Sequence, residues 1–540
     1  SVPPDMASRG LTGEVVAAQL LDRLAIMGSS ESSRSTQSYA NNWGNDIKVE
    51  IPETGVSISE LERFLRGWLG HDTRISGEVY HTAMGIAVTT RASTNGVTFT
   101  GAENDLDALI QKSAEHVFEI TQPYRYANYL DRNYNPVGLA DRVARAATIY
   151  GKLIAGSDPF ERAWAWNGLG TIAFRFHDDD REATADYRKA VASAPDFTIG
   201  WFALASREFN LDREEDQLAE FREASRLLHR DSIPDLNPNY IPNARLSAEG
   251  AVGVLTGDFG QGVASYKAGA ELPDSFSVLA RGNFQYHALV ALAAQHDLGG
   301  MRSYLRELGI DRLADPISRT KIAAAQEDWR AVTVVEADAQ KGGRAFNGLA
   351  AGQGVYNYLR PEFALARAHL GDVARAEALI APTAADCDGC LRTHARIAEL
   401  RGQQARADWW FARAVTNAPS VPFAYADWGQ ALLKRGKPNE AIAQFTLANQ
   451  KGPHFADPLE GWGEALMAKN QSHLALAKFA EAEKYAPNWG RLHLKWGEAL
   501  VWAGKKDEAK AQFAHAAVLD LTPVEKSELK YMNPIAENRS

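Results

Sequence analysis

Cys387 and Cys390 are the only cysteines in the 540-residue chain, spaced by Asp388-Gly389 at a point where a helical pattern begins. Three chemistries suit such a pair. A helix N-terminus favours a thiolate, which suits a thiol–disulfide redox couple. Thiolates also bind zinc, with His394 on the same helix as a third donor, although no fourth donor is in view. The third reading is structural: a local disulfide across the helix start, or two buried reduced thiols. A thioredoxin-type couple needs a preceding strand and a βαβ setting, and the flanking pattern offers neither. The expected role is therefore structural. So short a loop would add about 2 kcal/mol at most, and a disulfide would imply an oxidising compartment. His177-Asp178-Asp179-Asp180 has the donors of a metal site but falls between two helical patterns, where a solvated turn is expected. No glycine-rich phosphate loop, nucleophile elbow or His-Glu-x-x-His motif is present. No catalytic residue, metal or cofactor is expected.

The composition narrows the function classes. A net charge of −10 argues against nucleic acid as the main partner, because phosphate binding needs a basic surface. The 23% charged and 45% hydrophobic content is ordinary for a globular protein. No window approaches the roughly 18 apolar residues of a membrane-spanning helix. Numbering starts at Ser1 rather than at a methionine. An upstream export signal, anchor or effector domain is therefore a standing expectation.

The elements that would position any site are repetitive. Trp428-Gly429 recurs as Trp462-Gly463 and Trp496-Gly497, and both 462 − 428 and 496 − 462 equal 34. Ala441, Ala475 and Ala509 follow in register, then Phe445, Phe479 and Phe513, then Ala448, Ala482 and Ala516. The spacing predicts two antiparallel helices per repeat, each with one apolar stripe that a neighbour must cover. The 13 tryptophans of the chain include these three, which their register marks as packing residues. Gly436 and Gly504 are placed to end first helices, and Pro453 and Pro487 to end second helices.

This pattern resembles the tetratricopeptide repeat (TPR), although Tyr425, Leu459 and His493 stand where that family has its leading Trp. Looser copies are predicted around Trp166 to Pro195, Trp201 to Ala224, Gly257 to Pro273 and Ala395 to Pro419, giving roughly nine or ten helix pairs. The expected fold is mostly α: a TPR-type α-solenoid, a right-handed superhelix of helix pairs, preceded by a small α+β domain. The boundaries are 1–125 for the α+β domain, 126–275 for TPR-like repeats, 276–360 for degenerate repeats with a glycine-rich joint at Gly342–Gly354, 361–523 for regular repeats and 524–540 for a tail.

In the first 125 residues, helices are predicted from Gly13 to Met27, from Ser57 or Ser59 to Trp68, and from Asp105 to Ile120. A loop is expected over Gly28–Asn45. Strands are predicted at Ile47–Ile51, Arg74–His81, Gly85–Thr90 and Gly96–Thr100, with turns at Met84-Gly85 and Asn95-Gly96. The motif Ile75-Ser76-Gly77-Glu78-Val79 followed by a reversed strand and a helix looks like the amino-terminal domain of TolB. That resemblance implies a periplasmic or extracytoplasmic, envelope-associated role on a bacterial membrane; without it the expectation is cytoplasmic.

In the TPR family, first-helix positions 2, 5, 9, 12 and 13 face a concave surface. Carried over, they are Arg392, Arg396, Phe423, Gln430, Lys434, Asp457, Glu460, Glu464, Met467, Arg491, Glu498 and Trp502. The resemblance implies a groove basic at one end and acidic in the middle that holds a protein or peptide, with Trp502 exposed in it. Reversing Glu460 and Glu464 should then abolish capture and spare stability. The Lys and Asn clamp for a C-terminal carboxylate is not reproduced. The expected function is a non-enzymatic binding scaffold. The alternatives are the regulatory region of a larger effector and a thiol redox enzyme.

Overall fold

A computed structural model describes residues 2–28, 34, 75–83, 85–92, 95–132, 136–177, 179–230, 233, 236–273, 278–309, 316–340, 353–383 and 385–537. The expected strand Ile47–Ile51, the helix ending at Trp68, almost all of the Gly28–Asn45 loop and most of the Gly342–Gly354 joint lie outside these residues. The described chain is mostly helical with one small antiparallel sheet. It forms two compact units, Ser1–Ile172 with Ala185–Phe197 and Pro234–Pro238, and Ala173–Thr184 with Thr198–Ile233 and Asn239–Ser540.

In the first unit, strands β1 (Ile75–Thr82), β2 (Gly85–Ala92) and β3 (Asn95–Gly101) form a meander in the order β1-β2-β3. Ile86, Ala87 and Val88 of the central strand are buried, while Tyr80 on the edge strand is exposed. Across the β2–β3 pair, Thr89 and Thr98 are opposite and their hydroxyls are 2.8 Å apart. The second turn falls earlier than expected. Ala92 pairs with Asn95, so Asn95 and Gly96 lie inside the ladder. Helix Leu106–Thr121 packs on β2 and on helix Gly13–Gly28. Met6, Val79, Ile86, Val88 and Leu109 make one core cluster. Three helices follow: Pro123–Arg132, Leu139–Ile154 and Pro159–Ile172. Gly168 is needed because a Cβ there would lie 2.3 Å from the Tyr150 ring, whose hydroxyl donates to Asp131 at 2.9 Å.

The helix ending at Ile172 continues as a π turn, Ala173–His177. Asp179 then accepts from the backbone N–H groups of Arg181 and Glu182, at 3.0 and 2.8 Å, capping helix Asp180–Ser193. A cap is what the His-Asp run supplies here.

The second unit is a succession of antiparallel helix pairs. Its carboxy-terminal pairs are Asp388–Leu400 with Gln404–Asn417, Phe423–Lys434 with Pro438–Lys451, Ala456–Ala468 with Ser472–Glu483, and Gly490–Trp502 with Lys506–Val518. A Cβ on Gly429, Gly463 or Gly497 would lie 2.5, 2.6 or 2.4 Å from the ring of Phe445, Phe479 or Phe513. These glycines exist so that the ring can lie against bare backbone. Trp428, Trp462 and Trp496 are half-buried and pack against the same clusters. The first helices end in left-handed residues at 34-residue steps, Gly402, Gly436, Asn470 and Gly504. At each, the next residue's N–H returns to a carbonyl five residues back, as Lys437 does to Leu432 at 3.0 Å.

Two stretches outside the 34-residue signature are helical. Pro242 sits in the first turn of helix Ile241–Leu255. The region expected to be a tail is helix Pro523–Glu537, with Met532 buried against Leu494, Leu500, Val501 and Phe513.

Candidate functional site: the first-helix face of the carboxy-terminal repeats

The carried-over positions divide into a part filled by the chain itself and a part left open. The filled part lies at the beginnings of the first helices. Three turns from earlier in the second unit reach it, centred on Asp212, Gly257 and His296, all with positive φ (54°, 76° and 63°).

At the first turn, Asp388 N–H donates to the Asp212 carbonyl at 2.7 Å, Arg213 reaches Asp386 at 2.5 Å, and Ser420 N–H donates to Glu215 at 2.8 Å. Arg392 donates to Glu214 at 2.8 Å and lies 5.2 Å over the Phe423 ring. At the second, Gly257 is against Phe455, and Phe259 packs on both Phe423 and Phe455. Asp258 and His454 are 2.6 Å apart. At the third, His296 Nε2 is 3.0 Å from Asp457 Oδ1 and its ring stacks on Trp489 at 3.9 Å. Gln295 donates to the Tyr485 carbonyl at 2.8 Å, and Arg302 donates to Asp520 at 2.6 and 3.1 Å. Arg392, Phe423 and Asp457 are thus interior contacts, which corrects their expected place in an open groove.

The acidic middle is also closed. Glu460 is 0% exposed, with Arg491 Nε 3.1 Å from its Oε1. Arg491 also pairs with Glu464, and with Glu525 of the final helix at 3.4 Å. Lys495 bridges Glu498 at 3.3 Å and Glu528 at 2.5 Å. Burial, with the Glu464 charge adding to it, pushes the Glu460 carboxyl well above the usual range. Burial opposes the Glu464 charge, but Arg491, the hydrogen bond with Glu460 and Lys495 together outweigh it and hold that carboxyl below the usual range. Burial raises Glu498 to about 7. Glu460, Glu464, Arg491 and Glu498 make a network sealed by the final helix. Reversing Glu460 and Glu464 would consequently damage the fold, contrary to the expectation, because a buried ion pair cannot lose a partner cheaply.

The open part lies toward the ends of the same helices. Arg396 and Lys434 are exposed, Gln430 and Met467 half-buried, and Trp502 69% exposed. Gln430 lies against Gly461 of the next first helix. His369 is held down at about 4 by burial and by the nearby Arg396 and Lys434 charges, so these two cations share one local field. Trp502 is exposed as expected; the pattern by itself does not tell which of the other positions the chain covers.

Cys387 and Cys390 are joined as a disulfide with Cα atoms 5.2 Å apart. They are 5% and 3% exposed, and Cys387 caps helix Asp388–Leu400. His394 stacks on Trp410 at 4.2 Å instead of joining them. The group that does approach is Asp212, whose Oδ2 is 3.4 Å from Cys387 Sγ. Nothing in the local sequence signals that carboxylate, 175 residues away.

No protein-family model and no curated protein matches the chain. Among solved structures, the crystal structure of yeast Tom70 is similar at 14% identity and a TM-score of 0.37, covering 76% of this chain and 96% of that one. The APC/C hetero-tetramer Cut9-Hcn1 is similar at 13% identity and a TM-score of 0.38, covering 79% and 90%. The TPR-type fold rests on the chain's own 34-residue register of paired helices, each small residue seated against the ring of its partner helix.

Proposed function

We propose that this protein is a non-enzymatic interaction scaffold that binds an acidic protein segment with an apolar anchor. The docking strip runs along the open ends of the carboxy-terminal first helices. The observation that carries the reading is the survival of Arg396, Lys434 and Trp502 as exposed groups on a face whose other charges are neutralised from within. Two cations with no ion-pair partner among the described residues attract carboxylates at range. The exposed Trp502 indole supplies the kind of aromatic contact on which binding energy concentrates.

The test is binding to an array of acidic peptides with and without an aromatic or leucine anchor. Arg396→Glu with Lys434→Glu should weaken the bound set at least tenfold and flatten its loss with salt, because the screened attractions are gone, while the thermal midpoint stays within about 2 °C because exposed positions contribute little to stability. Peptide binding indifferent to that double change, or to Trp502→Ala, would remove this strip as the site.

A further inference from the structure

The geometry points to a redox-gated zinc site made of Cys387, Cys390 and Asp212, which exchanges with the disulfide and has a carboxylate, not His394, as its third ligand. The two Sγ atoms and an Asp212 carboxylate oxygen all lie within 4.8 Å of one another. Two soft sulfur donors and one oxygen donor on a tetrahedron suit Zn²⁺. With Zn–S near 2.3 Å and Zn–O near 2.1 Å, a tetrahedral S···O edge is roughly 3.6 Å. The Cys387 Sγ to Asp212 Oδ2 distance is already 3.4 Å. The fourth position is left for water.

The carboxylate is held in place by more than one constraint. Its turn is fixed by the 2.7 Å bond from Asp388 N–H to the Asp212 carbonyl. Gly389 faces it with no room for a side chain, since a Cβ would lie 2.1 Å from Asp212 Oδ2. The thiolates would form at a helix start, where Cys390 N–H already points at Cys387 Sγ from 3.2 Å.

The chemistry balances in two steps. A dithiol reductant gives two electrons and two protons to the disulfide and becomes a disulfide itself. Zn²⁺ then displaces the two thiol protons to solvent and forms two Zn–S bonds. Zinc would also clamp the Asp212 turn to the Cys387 helix, tying the interior interface to redox state.

The experiment uses the full chain reduced with a phosphine, then titrated with Zn²⁺ and, for spectroscopy, Co²⁺. One equivalent of Zn²⁺ should bind the reduced protein and none the oxidised protein. Co²⁺ should give a thiolate charge-transfer band and tetrahedral visible bands. Asp212→Asn, similar in size and uncharged, should lower Zn²⁺ affinity tenfold or more and change the visible bands. His394→Ala should leave both intact, and circular dichroism of each variant checks folding. Zinc should also protect both cysteines of the unaltered chain from alkylation, a readout that needs no variant. Failure of the reduced wild type to bind or to be protected overturns the proposal. So does full affinity in a folded Asp212→Asn, or loss of the metal in His394→Ala.

Discussion

Gly497 shows at the smallest scale why the repeat signature has a glycine behind each tryptophan. A methyl group there would sit 2.4 Å from the Phe513 ring, and that ring is fully packed. Gly497→Ala should therefore destabilise the carboxy-terminal repeats by about 1–3 kcal/mol, the usual cost of overpacking a filled core. Adding Phe513→Leu should recover part of it, a non-additivity that urea titration of both variants and the double variant would reveal. Trp502 is the opposite case. At 69% exposure, its replacement by Ala should move the same titration by no more than about 0.5 kcal/mol. Trp496 and Trp502, on one helix, thus differ in role because one fills a junction and the other faces water. The glycine–ring pairing was legible, since the 34-residue step aligned Gly429, Gly463 and Gly497 with Phe445, Phe479 and Phe513. The fate of Glu460 was not. A glutamate on a first helix reads as solvated, and only the arrival of Arg491 from the next repeat makes its burial tolerable.

At the scale of elements, the final helix Pro523–Glu537 does two things: it covers the apolar end of the last pair through Met532, and it brings Glu525 and Glu528 onto Arg491 and Lys495. Deleting residues 523–540 should lower the thermal midpoint by several degrees and expose apolar surface, measurable by calorimetry and dye binding, because a solenoid needs a cap on its last repeat. Glu498 gives this end of the array a pH dependence. Burial raises its carboxyl from 4.5 to about 7. A raised acid binds its proton more readily in the folded state, so stability falls as pH climbs from about 4.5 to about 7 and the contribution is fully present only below that window. Glu498→Gln should flatten this decline by on the order of 2 kcal/mol between pH 5 and pH 8, read from denaturant midpoints. The elements themselves were largely predicted: helix Gly13–Gly28 and strands β1 to β3 fall within a few residues of their expected bounds, and the last four pairs keep the expected 34-residue register. The final helix was missed because its stripe, Leu529 and Met532, is short and lies outside the 34-residue signature.

At the scale of the whole second unit, the principal finding is that an earlier stretch of the array sits on a later one. The turns at Asp212, Gly257 and His296 meet the helix starts near Cys387, Phe423, Phe455 and Trp489. Asp212 and His296 are non-glycine residues in the left-handed region, a conformation that costs energy and persists where surroundings enforce it. Both are at the contact. His296→Ala and Asp457→Ala should show a coupling of about 0.5–3 kcal/mol in a double-mutant cycle, whereas His296→Ala with the distant Gly497→Ala should be additive.

By itself, the sequence determined the period, the helix pairing, the helix-ending glycines and the face that each first helix presents, because these follow from backbone geometry and from apolar spacing within a few tens of residues. Only the tertiary structure decided what lies on that face. The partners of Arg392, Asp457 and Cys387 are Glu214, His296 and Asp212, each more than 150 residues away in sequence. A period describes contacts between neighbours, and it carries no information about a contact formed when the chain returns upon itself. Charge that reads as an open groove can therefore be closed from within, leaving the cationic and aromatic ends of the helices as the free surface.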